Sequence, residues 1–256
     1  MTLIQGALIL GAGVIAGAMN AVAGGGTILT FPTLIWAGLI PLNANATNTV
    51  ALVPGALASV WGYRRELQNS NPQHYLLLIP SFIGGLGGGI LLRYTPPKTF
   101  AAIVPFLILF AVVLFILQAP IQRKLRGDKP ATTDVATTPR WLWVAALLQV
   151  LTGIYGGYFG AGMGIMMLAT LSVLGIVNIH QMNGLKNMLG MTINLVAALY
   201  FIYVGLVQWP EAFVMGLGAI IGGYGGAGVA RKLGAKFVRW AVIVIGVGMA
   251  ISLFFK

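Results

Sequence analysis

Apolar residues along this chain gather into runs longer than soluble strands or short core helices need, and polar or glycine-rich stretches separate ten of them. In the first half the runs are Leu3–Val22, Thr27–Ile40, Asn45–Tyr63, Tyr75–Leu92 and Phe100–Leu117. In the second half they are Trp141–Phe159, Met163–Val177, Asn183–Val207, Ala212–Ala230 and Val238–Phe255. The pattern predicts an all-α, polytopic integral membrane protein with 8 to 10 hydrophobic helical segments, the count turning on the two short runs after the glycine motifs. A polar stretch from Gln118 to Pro139 holds Arg123, Lys124, Arg126, Lys129, Asp128 and Asp134. It divides the chain into a first membrane repeat at 1–118, a cytoplasmic linker at 119–140 and a second membrane repeat at 141–256.

The halves repeat each other in motif as well as in hydropathy. Gly84-Gly85-Leu86-Gly87-Gly88-Gly89, followed by Arg93 and Lys98, matches Gly222-Gly223-Tyr224-Gly225-Gly226-Ala227, followed by Arg231 and Lys236, at an offset of 138. Near the start of each half, Gly17, Gly24 and Gly26 match Gly153, Gly160 and Gly162 at an offset of 136. Internal duplication of this kind is common in secondary transporters. Five crossings per half would invert the second repeat relative to the first, and four would leave the two parallel.

Charge arbitrates between these. If all ten runs cross, one face receives Arg64, Arg65, the five basic residues from Arg123 to Arg140, and Arg231, Lys232, Lys236 and Arg239, and the other receives Arg93, Lys98 and Lys256. If the short runs are re-entrant, the basic loops divide almost evenly. The positive-inside rule therefore favours inverted halves with both termini outside. Composition agrees with a lipid solvent, at 58% hydrophobic and 7% charged residues. The net charge of +11 lies mostly between apolar runs, without the clustered basic face that nucleic acid needs, so nucleic acid is not an expected partner. The first run lacks a basic leader and reads as a retained membrane segment rather than a cleaved signal.

The absence of cysteine removes disulfides, thiolate metal sites and cysteine nucleophiles. All four acidic residues, Glu66, Asp128, Asp134 and Glu211, sit in or beside loops. No buried carboxylate or histidine pair is expected, and His74 and His180 fall near run ends, so an enzyme, a metal site or a cofactor is not expected. The chemistry concentrates instead at the breaks. Gly24-Gly25-Gly26, preceded by Asn20 and followed by Thr27, predicts an unwound helix, and Gly160-Ala161-Gly162 its counterpart. Unwound backbone at membrane depth is tolerated where protein buries it or a watery cavity solvates it, and the amides at a helix start suit an anion. Asn45, Asn48 and Thr49 open the third run, as Asn183, Lys186 and Asn187 open the eighth, with Asn194 extending the second face. Lys186 is the sharpest signal. An ammonium in an apolar run with no carboxylate near it in sequence requires a cavity, a mobile anion or a route for the side chain back to the interface. The glycine runs at 84–89 and 222–227 and the individual asparagines also have plain uses in helix packing and helix-to-helix hydrogen bonding. The aromatic residues Trp36, Trp61, Tyr155 and Tyr158 suit the membrane interface as well as a pocket wall.

The stretch Ala16-Gly17-Ala18-Met19-Asn20-Ala21-Val22-Ala23-Gly24-Gly25-Gly26-Thr27-Ile28-Leu29-Thr30-Phe31-Pro32, then Asn45-Ala46-Thr47-Asn48-Thr49-Val50-Ala51 and Tyr63-Arg64-Arg65, resembles the sulfite exporter TauE/SafE family. The resemblance spans nearly the whole chain. It implies a multi-pass inner-membrane permease with about eight predicted spans, handling sulfite, related organosulfur anions or organic acids. Many relatives carry an acid near the position of Asn20, which is neutral here. The expected partners are a small anionic substrate and the lipid bilayer, and the sequence assigns no oligomeric state. The expected activity is anion export by alternating access at the interface of the repeats, with an anion channel or facilitator for small carboxylates as the alternative.

Overall fold

The computed structural model describes residues 1–22, 24–68, 70–126, 139–176, 178–233 and 235–254. The middle of the expected linker, 127–138, lies outside these, as do the side chains of the basic residues at 123–126 and 231–239. The described residues form helices and no strands. In chain order they are α1 (Leu3–Val22), α2 (Thr27–Trp36), α3 (Pro41–Gly62), α4 (Arg64–Gln68), a 3-10 turn (Pro72–Leu77), α5 (Leu78–Tyr94), α6 (Pro97–Arg126), α7 (Pro139–Tyr158), α8 (Met163–Val173), α9 (Ile179–Tyr203), α10 (Trp209–Leu233) and α11 (Ala235–Phe254). Five stretches are long and apolar enough to cross a bilayer: Leu3–Ala21, Pro72–Tyr94, Pro97–Leu117, Arg140–Tyr158 and His180–Tyr203. Shorter apolar helices cover Thr27–Trp36, Met163–Ser172 and Ile243–Phe254.

Several elements begin or end away from the expected points, for local reasons. The third run starts at Pro41 rather than Asn45, because proline at the first helical position costs no hydrogen bond and pre-sets φ. The eighth starts at Ile179 rather than Asn183, because the Asn178 side chain accepts from the His180 and Gln181 amides. The Asn/Thr and Asn/Lys clusters therefore sit inside helices and not at their tips. The short runs end early, α2 at Trp36 and α8 at Val173, each followed by a glycine of positive φ, Gly38 (100°) or Gly175 (75°). At 1.5 Å per residue, helices of 10 and 11 residues reach about half the hydrocarbon thickness.

The halves interlock. Gly13 of α1 meets the backbone of Met215, and Gly17 that of Ala219, so α1 and α10 run parallel in close backbone contact. Gly84 of α5 likewise meets Val150 and Gly153, and Gly88 meets Ile154 and Tyr158, so α5 and α7 run parallel. Each pair is the other's counterpart at the offsets of 136 and 138. A third-helix pairing repeats the exchange, with Gly55 of α3 against Ala219 and Gly85 of α5 against Ile193 of α9. Between α3 and α9 the direction reverses. Asn43 donates to the Leu206 carbonyl at 3.0 Å and Thr47 Oγ1 accepts from the Gln208 amide at 3.0 Å, while Gly184 lies beside Tyr63. The start of each helix therefore neighbours the end of the other. Within the first half, α2 folds back along α1, since Gln5 Nε2 donates to the Ala37 carbonyl at 3.4 Å. One core cluster includes Phe31, Phe100, Phe159 and Phe201, and a second includes Leu77, Met167, Leu185 and Leu189.

Candidate functional site

Both glycine breaks are real, and the first abuts the helix that follows the second. Gly24 and Gly25 have φ of 78° and 102°, and Gly160 and Gly162 have 77° and 79°, conformations that side chains with a Cβ adopt at a cost. A Cβ on Gly24 would lie 3.1 Å from Gly164 Cα, so the first break abuts the first turn of α8. Side chains hold each break open. Asn20 Oδ1 accepts from the Gly26 amide at 2.8 Å, and the Tyr155 hydroxyl donates to the Ala161 carbonyl.

Where the breaks meet there is a cavity of about 50 Å3, room for water molecules or a solute of a few atoms. Of the residues singled out from sequence, Asn20, Gly24, Gly25, Thr27, Gly160, Lys186 and Asn187 line it, together with Asn194. Gly26, Ala161 and Gly162 belong to the breaks but not to the wall, and Asn45, Asn48, Thr49 and Asn183 are buried without lining it. Asn48 Nδ2 donates to Thr27 Oγ1 at 3.3 Å and so supports the wall from the second layer. Thr49 Oγ1 is spent on the Asn45 carbonyl one turn back, at 2.9 Å. The amide oxygens of Asn45, Asn48 and Asn183 are buried without a protein partner. Sequence reasoning missed the other wall residues, including Leu52, Ser59, Met163, Met167 and Met191. Methionines in apolar runs give no signal that separates a cavity wall from a lipid-facing surface. None of Trp36, Trp61, Tyr155 and Tyr158 lines the cavity.

Lys186 is 3% exposed, so its side chain does not escape to the interface. Its Nζ donates to the Asn20 carbonyl at 3.2 Å, and Asn187 Nδ2 donates to the Ala21 carbonyl at 3.1 Å. The two side chains thus cap the last turn of α1, where the break leaves carbonyls unpaired and the helix dipole is negative. No carboxylate among the described residues pairs with Lys186. Opposite the ammonium, Thr27 opens α2, and Met163 and Gly164 open α8, so two helix N-termini face the same small space. The ammonium and these two N-termini bring positive potential to the cavity, against the negative end of α1 that Lys186 caps. Of the two histidines near run ends, His74 is buried and His180 is exposed.

A duplicated bundle of apolar helices, with two broken helices beside a cavity that takes in Lys186 and several amide side chains, defines the class: a membrane transporter. The sulfite exporter TauE/SafE family model matches residues 9–253, and the chain belongs to that family. It is 30% identical over 240 residues to a probable membrane transporter protein of Haemophilus influenzae, covering 93% of this chain and 90% of the relative. The probable membrane transporter protein YfcA of Escherichia coli K12 is 27% identical over 242 residues, covering 94% and 86%. The probable membrane transporter protein ORF9 of a Sinorhizobium species is 28% identical over 247 residues, covering 93% and 88%. No solved structure matches the chain.

Proposed function

We propose that this protein exports small anions across the inner membrane, most directly sulfite and related organosulfur anions such as sulfonates. On this reading the two membrane repeats, 1–118 and 141–256, joined by a cytoplasmic linker at 119–140, are inverted copies that alternate access to one site between them. The antiparallel course of α3 and α9 supports inversion, since two copies related by an axis along the membrane normal would keep these counterparts parallel. It also supports the ten-crossing charge count, because α2 and α8 reverse the chain direction before the third helix of each half.

The single observation that carries anion specificity is the convergence of the buried Lys186 ammonium and the first turns of α2 and α8 on one cavity. An anion bound there replaces the hydration that Lys186 has lost and lies at two positive dipole ends. Outward movement needs no coupling ion, since an anion leaving an inside-negative cell gains about 2.3 kcal/mol per charge per 100 mV.

Proteoliposomes loaded with sulfite test this. Wild-type protein should release sulfite faster when the membrane potential is set to repel it, and Lys186→Ala should reduce the rate by about 10- to 100-fold, the worth of one charge-assisted hydrogen bond. Equal flux from wild type and Lys186→Ala would remove Lys186 from the site. Unitary currents in planar bilayers would replace alternating access with a channel.

A further inference from the structure

The cavity is lopsided with respect to the repeat. It takes in Met167, Lys186 and Asn187, but their counterparts in the first half, Phe31, Asn48 and Thr49, lie outside its wall. Next to two wall residues on that side stand aromatic side chains. Phe31 is one turn beyond Thr27, and Phe159 immediately precedes Gly160, and both Thr27 and Gly160 line the cavity. The two rings meet edge to face at 5.3 Å, and Phe31 and Phe159 are 0% and 2% exposed. Phe100 packs on Phe159 at 6.5 Å and on Tyr158 at 5.7 Å. The Tyr158 carbonyl accepts from Asn45 Nδ2 at 2.8 Å and its hydroxyl meets Thr95 Oγ1 at 3.3 Å, which anchors the cluster to α3 and to the α5–α6 turn.

The corresponding positions of the other repeat hold no aromatic residue. At the offset of 136, Phe31 corresponds to Met167, Tyr158 to Val22 and Phe159 to Ala23, and at the offset of 138 Phe100 corresponds to Val238. The aromatic cluster therefore belongs to one flank of the duplicated site and not the other. Asn45 and Thr95 place the cluster toward the membrane face that bears the start of α3 and the α5–α6 turn, the same face as the chain's first residues through Gln5 and Ala37. Lys186 lies toward the other face, where Gly184 neighbours Tyr63 and Leu67 close to Arg64 and Arg65.

We propose that Phe31 and Phe159, backed by Tyr158 and Phe100, form the closed gate between the cavity and the face bearing the N-terminus, and that the cavity is entered from the face bearing Arg64 and Arg65. This rests on the transport reading above and adds to it the barrier that must open for release. A dry, interlocked pair of rings blocks a hydrated anion by size and by desolvation together. Opening requires α2 and the end of α7 to separate, which also frees Asn45 from the Tyr158 carbonyl.

The cysteine-free sequence makes the test direct. A single Ala56→Cys in the cavity wall is probed with a membrane-impermeant maleimide in inside-out and right-side-out vesicles. Initial labelling should be at least ten-fold faster from the Arg64/Arg65 face. Adding Phe159→Ala, or Phe31→Met, each of which installs the other half's residue, should raise labelling from the N-terminal face at least ten-fold. Phe31→Met alone carries the test if Phe159→Ala does not fold. Equal labelling from both faces in the parent, or no change in either gate variant, would overturn the gate. Sulfite flux measured in the same vesicles separates the two ideas: one-sided labelling without flux removes the transport reading, and flux with two-sided labelling removes the gate.

Discussion

Lys186 holds two relationships at once, one to the α1 carbonyls and one to the cavity, and they compete for the same three N–H donors. The lone lysine in an apolar run was legible in the sequence, and so was the lack of a carboxylate for it. Its partner was not, because the Asn20 carbonyl is 166 residues away and backbone carbonyls carry no sequence signature. Asn20 provides the sharper test of charge. Its Oδ1 already accepts from the Gly26 amide, so Asn20→Asp keeps the break's geometry while placing a carboxylate next to the Lys186 ammonium. The resulting ion pair should cancel the positive site and weaken sulfite binding by about ten-fold or more, while leaving or raising thermal stability. A thermal-shift titration with sulfite reads both effects in one experiment, since a ligand for the folded state raises its apparent Tm. Undiminished sulfite stabilisation in Asn20→Asp would show that charge at this point does not matter.

At the scale of elements, the glycines divide into two kinds that sequence alone treats as one. The breaks at Gly24-Gly25-Gly26 and Gly160-Ala161-Gly162 were legible because consecutive small residues interrupt an apolar run with polar residues beside them. The runs at 84–89 and 222–227 remain helical and serve close approach, which the repeat offset suggested and the α5–α7 and α1–α10 contacts make specific. A side chain at Gly17 would be driven into the Ala219 carbonyl, a backbone atom that cannot rotate away, whereas a Cβ at Gly11 meets nothing within 4 Å. Gly17→Leu should therefore cost about 1–3 kcal/mol or more and lower the apparent Tm by roughly 5 °C. Gly11→Ala, on the same helix, should leave Tm unchanged or slightly raised. Fluorescence-detected unfolding of the two variants in detergent decides the matter. Similar losses in both would mean that glycine in α1 serves helix flexibility and not the contact with α10.

For the molecule as a whole, duplication could be read from motif offsets, but interlocking could not. Sequence does not reveal that α1 leaves its own half to lie along α10, because the small residues that permit it are equally good at packing any neighbour. The exchange has a mechanical consequence. Each break is tied to the third helix of the other half, α1's end by Lys186 and Asn187, and α7's end by Asn45. On the alternating-access proposal, motion of one half against the other would strain these ties in turn, and the membrane faces on which they lie would decide the order of events. Arg65 and Lys98 lie on opposite faces when α5 crosses once between them, whichever way the repeats are related. Both are exposed, so single Arg65→Cys and Lys98→Cys variants of the cysteine-free chain should be structurally neutral. In whole cells an impermeant maleimide should label Lys98→Cys and spare Arg65→Cys, and permeabilisation should expose the second. The reverse pattern would turn the molecule over, placing the Lys186 side of the cavity outside and making uptake the direction to explain. Labelling of both in intact cells would contradict a single crossing by α5, and with it the pairing of parallel and antiparallel helices on which the shared site depends.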